Sequence, residues 1–410
     1  MIFFITFSLL FFLGGQFYVY YRLWHIIPCA WLRIVMLAVG IVAAASFLLS
    51  MIFTDTISIP LVKIMYKVGS AWFFILMELI ILFLLLDLLR LLPFLDIYAF
   101  LNNNWIGFAA VVVLIGGMMI YGNIHYNNPK RTEIDIATRV IAADSVTGNI
   151  VTDSITKNVP LKIVFASDLH IGYNIDNKEI EKWVSLINKE NPDIILFGGD
   201  IVDNSTRPLE VYGMAENFKK LKARYGVFGV LGNHEYISQR GRTVKNSTDP
   251  TYKEIQSAQK DFMPQKGSLP KVEQFYREAG IMLLQDTAVN IDNKIVLVGR
   301  DDYSNVKRNS LSNILNIIPD SVKGTIPVIL LDHQPHNLNE ATDNGVVLQL
   351  SGHTHAGQLI PVSLITPFMY ENNYGLLIKD KTAIYVTSGL GIWGGKFRIG
   401  TSSEYVVIKL

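Results

Sequence analysis

Long apolar runs fill the first 125 residues of this chain, and short apolar runs broken by polar clusters fill the rest. Met1 to Tyr20 carries no charge, and further runs extend from Ile34 to Phe53, from Gly69 to Leu86 around a single acid, Glu78, and from Trp105 to Tyr121. The hydrocarbon core of a bilayer, about 30 Å thick, is crossed by about 20 apolar residues of helix. The pattern therefore predicts four transmembrane helices over about 2–21, 34–53, 69–88 and 105–122, within a region 1–125. A cleaved targeting signal would account for the first run only. The competing reading is one buried hydrophobic domain.

Beyond this region the period changes. A connecting segment, 126–160, has room for a lead-in strand or hairpin, and 161–410 reads as one α/β domain. "LKIVFAS" is a β-rich run, and "NKEIEKWVSLINKE" places Ile180, Trp183, Val184 and Ile187 at helical spacing. Pro192 stops that helix and "DIILFGG" follows as a strand. "YGVFGVLG", "KIVLVG", "IPVILLD", "GVVLQL", "AIYVTSG" and "EYVVIKL" are further strands.

Composition narrows the function classes. Lys plus Arg total 36 against 35 for Asp plus Glu, so no nucleic-acid partner is expected. Apolar residues make up 50%, in line with membrane segments. The lone cysteine, Cys29, excludes an internal disulfide framework and a thiolate zinc cluster. With four spans, both termini lie on one side. Lys63, Lys67, Lys130 and Arg131 fall on the side of the C-terminal domain and Arg22, Arg33 and Arg90 on the other, a slight bias toward a cytoplasmic C-terminal domain. Glu78 is an intramembrane carboxylate, a candidate for transport or for helix pairing.

The polar clusters carry the chemistry. "FASDLH" supplies Asp168 and His170, "LFGGDIVD" supplies Asp200 and Asp203, and "VLGNHE" supplies Asn233, His234 and Glu235. "LLDHQPH" supplies His333 and His336, and "LSGHTH" supplies His353 and His355. Each follows an apolar run, and functional groups gather at the carboxyl ends of strands in open α/β sheets. Six of the eight histidines fall in these clusters, while His25 and His125 lie at membrane edges. Carboxylates, imidazoles and one amide without thiolates suit Mn, Fe or Zn. So many ligands can hold two divalent ions, with one carboxylate shared between them. Asp200 is the candidate for sharing, because its strand should be central.

The series D-x-H, G-D-x-x-D, G-N-H-E, H-x-P and G-H-T-H resembles the calcineurin-like metallophosphoesterases, over about Lys162 to Leu410. "GHTHAGQ", Gly352 to Gln358, is similar to the bacterial membrane-associated branch of that family. The resemblance implies a four-layer α/β/β/α domain with two mixed β-sheets, joined to a membrane anchor the family core lacks. It implies that Asp168, His170 and His355 hold one ion and that Asn233, His333 and His353 hold the other, with Asp200 between them. His353 and His355, two apart, are expected to share one face of a strand. His234 would act catalytically as proton donor or phosphate partner, oriented by Asp203, while a metal-bridging hydroxide attacks phosphorus. The expected protein is a multi-pass phosphoesterase of a bacterial inner membrane. Its expected substrate is a phosphoester, lipid-linked or close to the membrane. The alternative is a membrane sensor or transport-associated protein whose domain only binds.

Three features depart from the family pattern. His336 stands where an acid is frequent, Ser388 stands where an arginine is frequent, and Tyr236 to Val272 is a basic insertion, either a solvated loop or a cap over the metals. Arg398 could replace the missing positive charge or lie on a strand surface.

Overall fold

The computed structural model describes residues 2–54, 56–92, 97–136, 161–238, 269–319, 322 and 324–410, and of residues 2–11 and 99 only the backbone. The expected cap falls mostly at 239–268, outside the described residues. The chain divides into two compact units, one of Met1–Asn128 with Gly394–Ile399, the other of Pro129–Trp393 with Gly400–Leu410.

The first unit is helical: α1 (Ile2–Ile26), α2 (Ala30–Ile52), α3 (Ile59–Leu89), the short α4 (Ile97–Leu101) and α5 (Trp105–Asn127). Pro60 opens α3, where its missing N–H costs nothing, and the Asn104 side chain caps α5 by accepting from the Ile106 N–H at 2.9 Å. Among the described residues three helices are long and apolar enough to cross a membrane: Ala30–Ile52, Ile59–Leu89 and Trp105–Asn127. The fourth expected span is helical as α1, but its first half lies outside the residues whose side chains are described. Ile34, Val42, Val113 and Ile120 point outward, as lipid-facing side chains do. Inside, Gly69 lets α3 press against the backbone of Phe47, where any side chain would collide. Glu78 is buried within this unit, and Asp87 accepts from Tyr18 at 2.6 Å and pairs with Arg22.

The second unit stacks two six-stranded sheets. Its strands are β1 (Lys130–Asp135), β2 (Lys162–Ala166), β3 (Ile194–Phe197), β4 (Val227–Gly229), β5 (Met282–Leu283) and β6 (Thr287–Ile291). The rest are β7 (Ile295–Gly299), β8 (Val328–Leu331), β9 (Leu348–Ser351), β10 (Gly375–Lys379), β11 (Thr382–Val386) and β12 (Glu404–Lys409). One sheet runs β1-β12-β2-β3-β4-β5 and the other β10-β11-β9-β8-β7-β6. Both are mixed: β12 is antiparallel to β2, and β10 and β6 are antiparallel to their neighbours.

Alternation builds the layers. Ile163, Phe165, Ile194 and Leu196 face Leu297, Ile329, Leu331, Leu348 and Leu350 between the sheets. The opposite face of the second sheet buries Val296, Val298 and Leu330 against Leu311, Ile314 and Ala341 of two short helices. On the first sheet, the predicted helix forms as Asn177–Lys189 and buries Ile180, Trp183, Val184 and Ile187. Asp176 caps it, accepting from the Glu179 N–H at 3.3 Å. The result is the expected α/β/β/α arrangement.

Arg398 corrects one expectation. It is fully buried and belongs to the helical unit, where its N–H donates to the Gly122 carbonyl at 2.9 Å, so it is not a strand-surface residue. Ser388 turns toward β12, its hydroxyl donating to the Ser402 carbonyl at 2.8 Å.

Candidate metal centre

Loops leaving the carboxyl ends of β2, β3, β4, β8 and β9 carry every residue singled out in the sequence as a ligand. The structure brings ligand atoms within 4.8 Å of one another in three groups: Asp168, His170 and His355; His170, Asp203 and His234; and Asp200, His333 and His353. Asp200 joins them. Its Oδ2 is 3.2 Å from His333 Nε2 and 3.9 Å from His170 Nε2, and β3 is central in its sheet as expected.

The loops are strained in a way that aims these groups. Asp168, His170, Asp200, His353 and His355 all have positive φ, between 47° and 70°. A left-handed backbone at a residue with a side chain costs about 1–3 kcal/mol and persists where surrounding structure enforces it. The H-x-H spacing works differently from the expectation. β9 ends at Ser351, so His353 and His355 do not alternate along a strand. Each enters from a loop whose backbone turns at φ +70° and +51°. Gly352 permits this turn, because a side chain there would strike Ser167 and the Asp168 carboxylate. The Asp168 carboxylate in turn accepts the His353 N–H at 3.0 Å.

The electron-rich atoms of the site fit divalent cations. His333 Nδ1 lies 2.7 Å from the Gly198 carbonyl, which can only accept, so Nδ1 carries the proton. Its Nε2 then faces the Asp200 carboxylate. His170 Nε2 and His355 Nε2 stand 3.0 Å apart, nitrogen against nitrogen. The Asn233 Oδ1 is buried and accepts no hydrogen bond among the described residues. Buried polar atoms normally find partners, and a pair of cations would satisfy this set together. Burial pushes the His353 imidazole down to about 4, which keeps it neutral as a metal ligand must be.

His234 has different surroundings. Its Nδ1 lies 3.2 Å from Asp203 Oδ1, and the same oxygen is 3.6 Å from His170 Nδ1. Burial lowers the His234 affinity for its proton, but Asp200 and the hydrogen bond to Asp203 outweigh it and hold the group up at about 9. His336 stands to one side, its ring 4.5 Å from Tyr303 and 5.4 Å from Tyr370.

The sequence reading assigned no role to Glu235. Its fully buried carboxylate accepts three backbone N–H groups: Asp200 at 3.1 Å, Val202 at 2.9 Å and Gly232 at 2.8 Å. It thus straps the loop of Asp200 to the loop of Asn233 and His234. The signal was its place three residues after Gly232, where an acid closes a helix N-terminus. Glu235→Gln keeps one oxygen and turns an amide group toward these donors. It should cost about 1–3 kcal/mol of stability and weaken metal binding about 10-fold or more, as read by thermal unfolding and metal titration.

These features define a mixed α/β sandwich with a metal-ligand centre at its strand ends, and comparison with known proteins places it. Residues 161–357 match the family described as calcineurin-like phosphoesterase, metallophosphoesterases that use divalent metals. An uncharacterized metallophosphoesterase of Helicobacter pylori is 30% identical over 252 residues, 61% of this chain and 60% of that protein. A transmembrane protein with metallophosphoesterase domain from Danio rerio is 27% identical over 262 residues, 61% of this chain and 53% of that protein. The match therefore spans about three fifths or less of these relatives' length. A solved structure from Thermus thermophilus aligns at 12% identity and a TM-score of 0.31, over 57% of this chain and 90% of that one.

Proposed function

We propose that this chain is a membrane-anchored phosphoester hydrolase with a two-metal centre. The observation that carries it is the Asp200 carboxylate, whose Oδ2 lies 3.2 Å from His333 Nε2 and 3.9 Å from His170 Nε2, beside a buried Asn233 Oδ1 that accepts no hydrogen bond among the described residues. Asp168, His170 and His355 would hold one ion, Asn233, His333 and His353 the other, and Asp200 both. When bound, ions such as Mn, Fe or Zn would supply positive charge to a phosphoryl oxygen and to the attacking water. His234, protonated and held by Asp203, donates a proton to the leaving oxygen or a hydrogen bond to the phosphate. Glu235 keeps the two loops in register.

Three apolar helices associate the chain with a membrane. A catalytic unit tethered there meets membrane-borne substrates at high effective concentration, which supports a lipid-linked or membrane-proximal phosphoester. Lys63 and Lys67 in the first part of α3 and the Lys130-Arg131 pair after α5 support a cytoplasmic catalytic unit at a bacterial inner membrane.

The test is metal content and hydrolysis together. Purified full-length chain should carry two divalent ions per molecule by elemental analysis and hydrolyse an aryl phosphoester. Chelation should remove the activity and metal addition restore it. A fully loaded sample that holds one ion would refute the two-metal reading.

A further inference from the structure

The segment between the His355 turn and β10 is unusual for a folded soluble surface. From Ala356 to Tyr370 there is no Asp, Glu, Lys or Arg. It forms the short helix Val362–Ile365 and the turn Thr366–Phe368. Its large apolar side chains point outward: Phe368 is 90% exposed, Met369 65% and Leu364 63%, with Ile365 beside them. Elsewhere in the same unit, exposed apolar side chains such as Val211, Met282, Val306 and Ile317 are spread along the chain, whereas these four fall within six residues.

The polar groups of the segment turn the other way. The Thr354 hydroxyl donates to the Asn373 carbonyl at 2.6 Å, and the Asn373 amide donates to the Thr366 hydroxyl at 3.2 Å. The Asn372 amide donates to the carbonyls of Gly375 and Ile384 at 3.1 and 3.2 Å. Within the segment, the Ser363 N–H donates to the Leu359 carbonyl at 2.8 Å and the Met369 N–H to the Thr366 carbonyl at 3.0 Å. The exposed residues of this protrusion, Ile360, Leu364, Ile365, Pro367, Phe368 and Met369, all carry hydrocarbon or thioether side chains, which suit a medium without hydrogen-bond partners. It also adjoins the metal centre. Tyr370, next to Met369, has its ring 6.2 Å from that of His353 and 5.4 Å from that of His336.

We propose that Ile360–Met369 is a membrane-seated lip of the metal centre, with Leu364, Ile365, Phe368 and Met369 inserted at the headgroup–acyl boundary of a lipid bilayer. A bilayer is the favoured occupant because this chain carries apolar helices long enough to span one, so that surface is always within its reach. Lack of charge, outward aliphatic and Phe side chains, and Tyr370 at the base match the pattern of an interfacial element. The consequence rests on the hydrolase reading: a lipid-borne phosphoester would reach His353 and its neighbours without leaving the membrane surface. The seating itself does not depend on turnover.

The test uses full-length chain in phosphatidylethanolamine–phosphatidylglycerol vesicles. Cys29→Ser removes the native thiol, and a nitroxide is attached through Phe368→Cys or, as an exposed control between β6 and β7, through Asn293→Cys. The spin label at position 368 should collide with oxygen and be protected from a water-soluble nickel chelate, with the reverse at 293. Equal nickel access at both positions overturns the lip. Protection at 368 from both reagents overturns it too, indicating a protein partner or a second copy. In parallel, Phe368→Ser with Met369→Ser should lower turnover of a fluorogenic phosphoester on a diacyl anchor about tenfold, while a soluble aryl phosphoester changes less than about twofold. Equal loss on both substrates overturns the role in substrate access. If the unmodified protein hydrolyses neither substrate, the hydrolase reading fails and the collision measurement alone decides the lip.

Discussion

Asp200→Asn should strip metal and activity from this protein together. Asp200 is the residue whose oxygens face both halves of the centre, with Oδ2 3.2 Å from His333 Nε2 and 3.9 Å from His170 Nε2. Its Oδ1 also accepts the His234 N–H at 2.8 Å. Burial opposes its charge, but His333 and His234 hold the carboxyl well below the usual carboxylate range, so it is ionised near neutrality. An amide removes that charge and places a donor against imidazole nitrogens that need a cation. Even the loss of a group outside the ligand set costs about 10–100-fold in metal affinity, and loss of a shared ligand should cost at least that. Elemental analysis should find both ions depleted, and aryl phosphoester hydrolysis should fall by about 10³ or more. Unchanged far-UV circular dichroism would separate this from misfolding. An Asp200→Asn protein that retained both ions would remove Asp200 from its proposed position between them.

His234→Ala should behave in the opposite way, keeping both ions while losing about 10²–10⁴ in turnover. The separation follows from geometry. His234 contacts the Asp203 carboxylate at 3.2 Å, while Asn233 beside it is the proposed ligand. Because the His234 proton is held up to about 9, the acid form is present below that value. A rate that needs this form falls as pH rises through it. Asp203→Asn removes one of the charges that raise the pKa, so the alkaline limb of kcat should move to lower pH with metal content preserved. If His234→Ala also emptied the centre, the division between ligand and proton donor would be wrong.

Much of this was legible along the chain because it is local. The apolar helices announce themselves by run length, and Ile180, Trp183, Val184 and Ile187 mark one helix face by their spacing. The ligand types appear directly after apolar runs, since a strand must end before its side chains can turn into a site. Other features were not legible. The period-two argument for His353 and His355 failed because a φ of +70° or +51° is imposed by neighbours, not by residue type. Arg398 carries no sequence mark of burial in the helical unit. The outward placement of Leu364, Ile365, Phe368 and Met369 carries no sequence mark either, because apolar pattern alone does not distinguish an inward face from an outward one.

By itself the amino-acid order determined which groups this protein offers: helices long and apolar enough to span a membrane, a two-sheet domain, and a stock of oxygen and imidazole groups at strand ends. Tertiary structure alone decided that Asp168 meets His353 across 185 positions of chain, that Asp200 stands between two ligand groups, and that Glu235 ties their loops. The physical reason is range. Hydrophobic periodicity acts over a few residues, whereas the placement of a buried carboxylate is set by the packing of two whole sheets, whose register no short window of sequence contains.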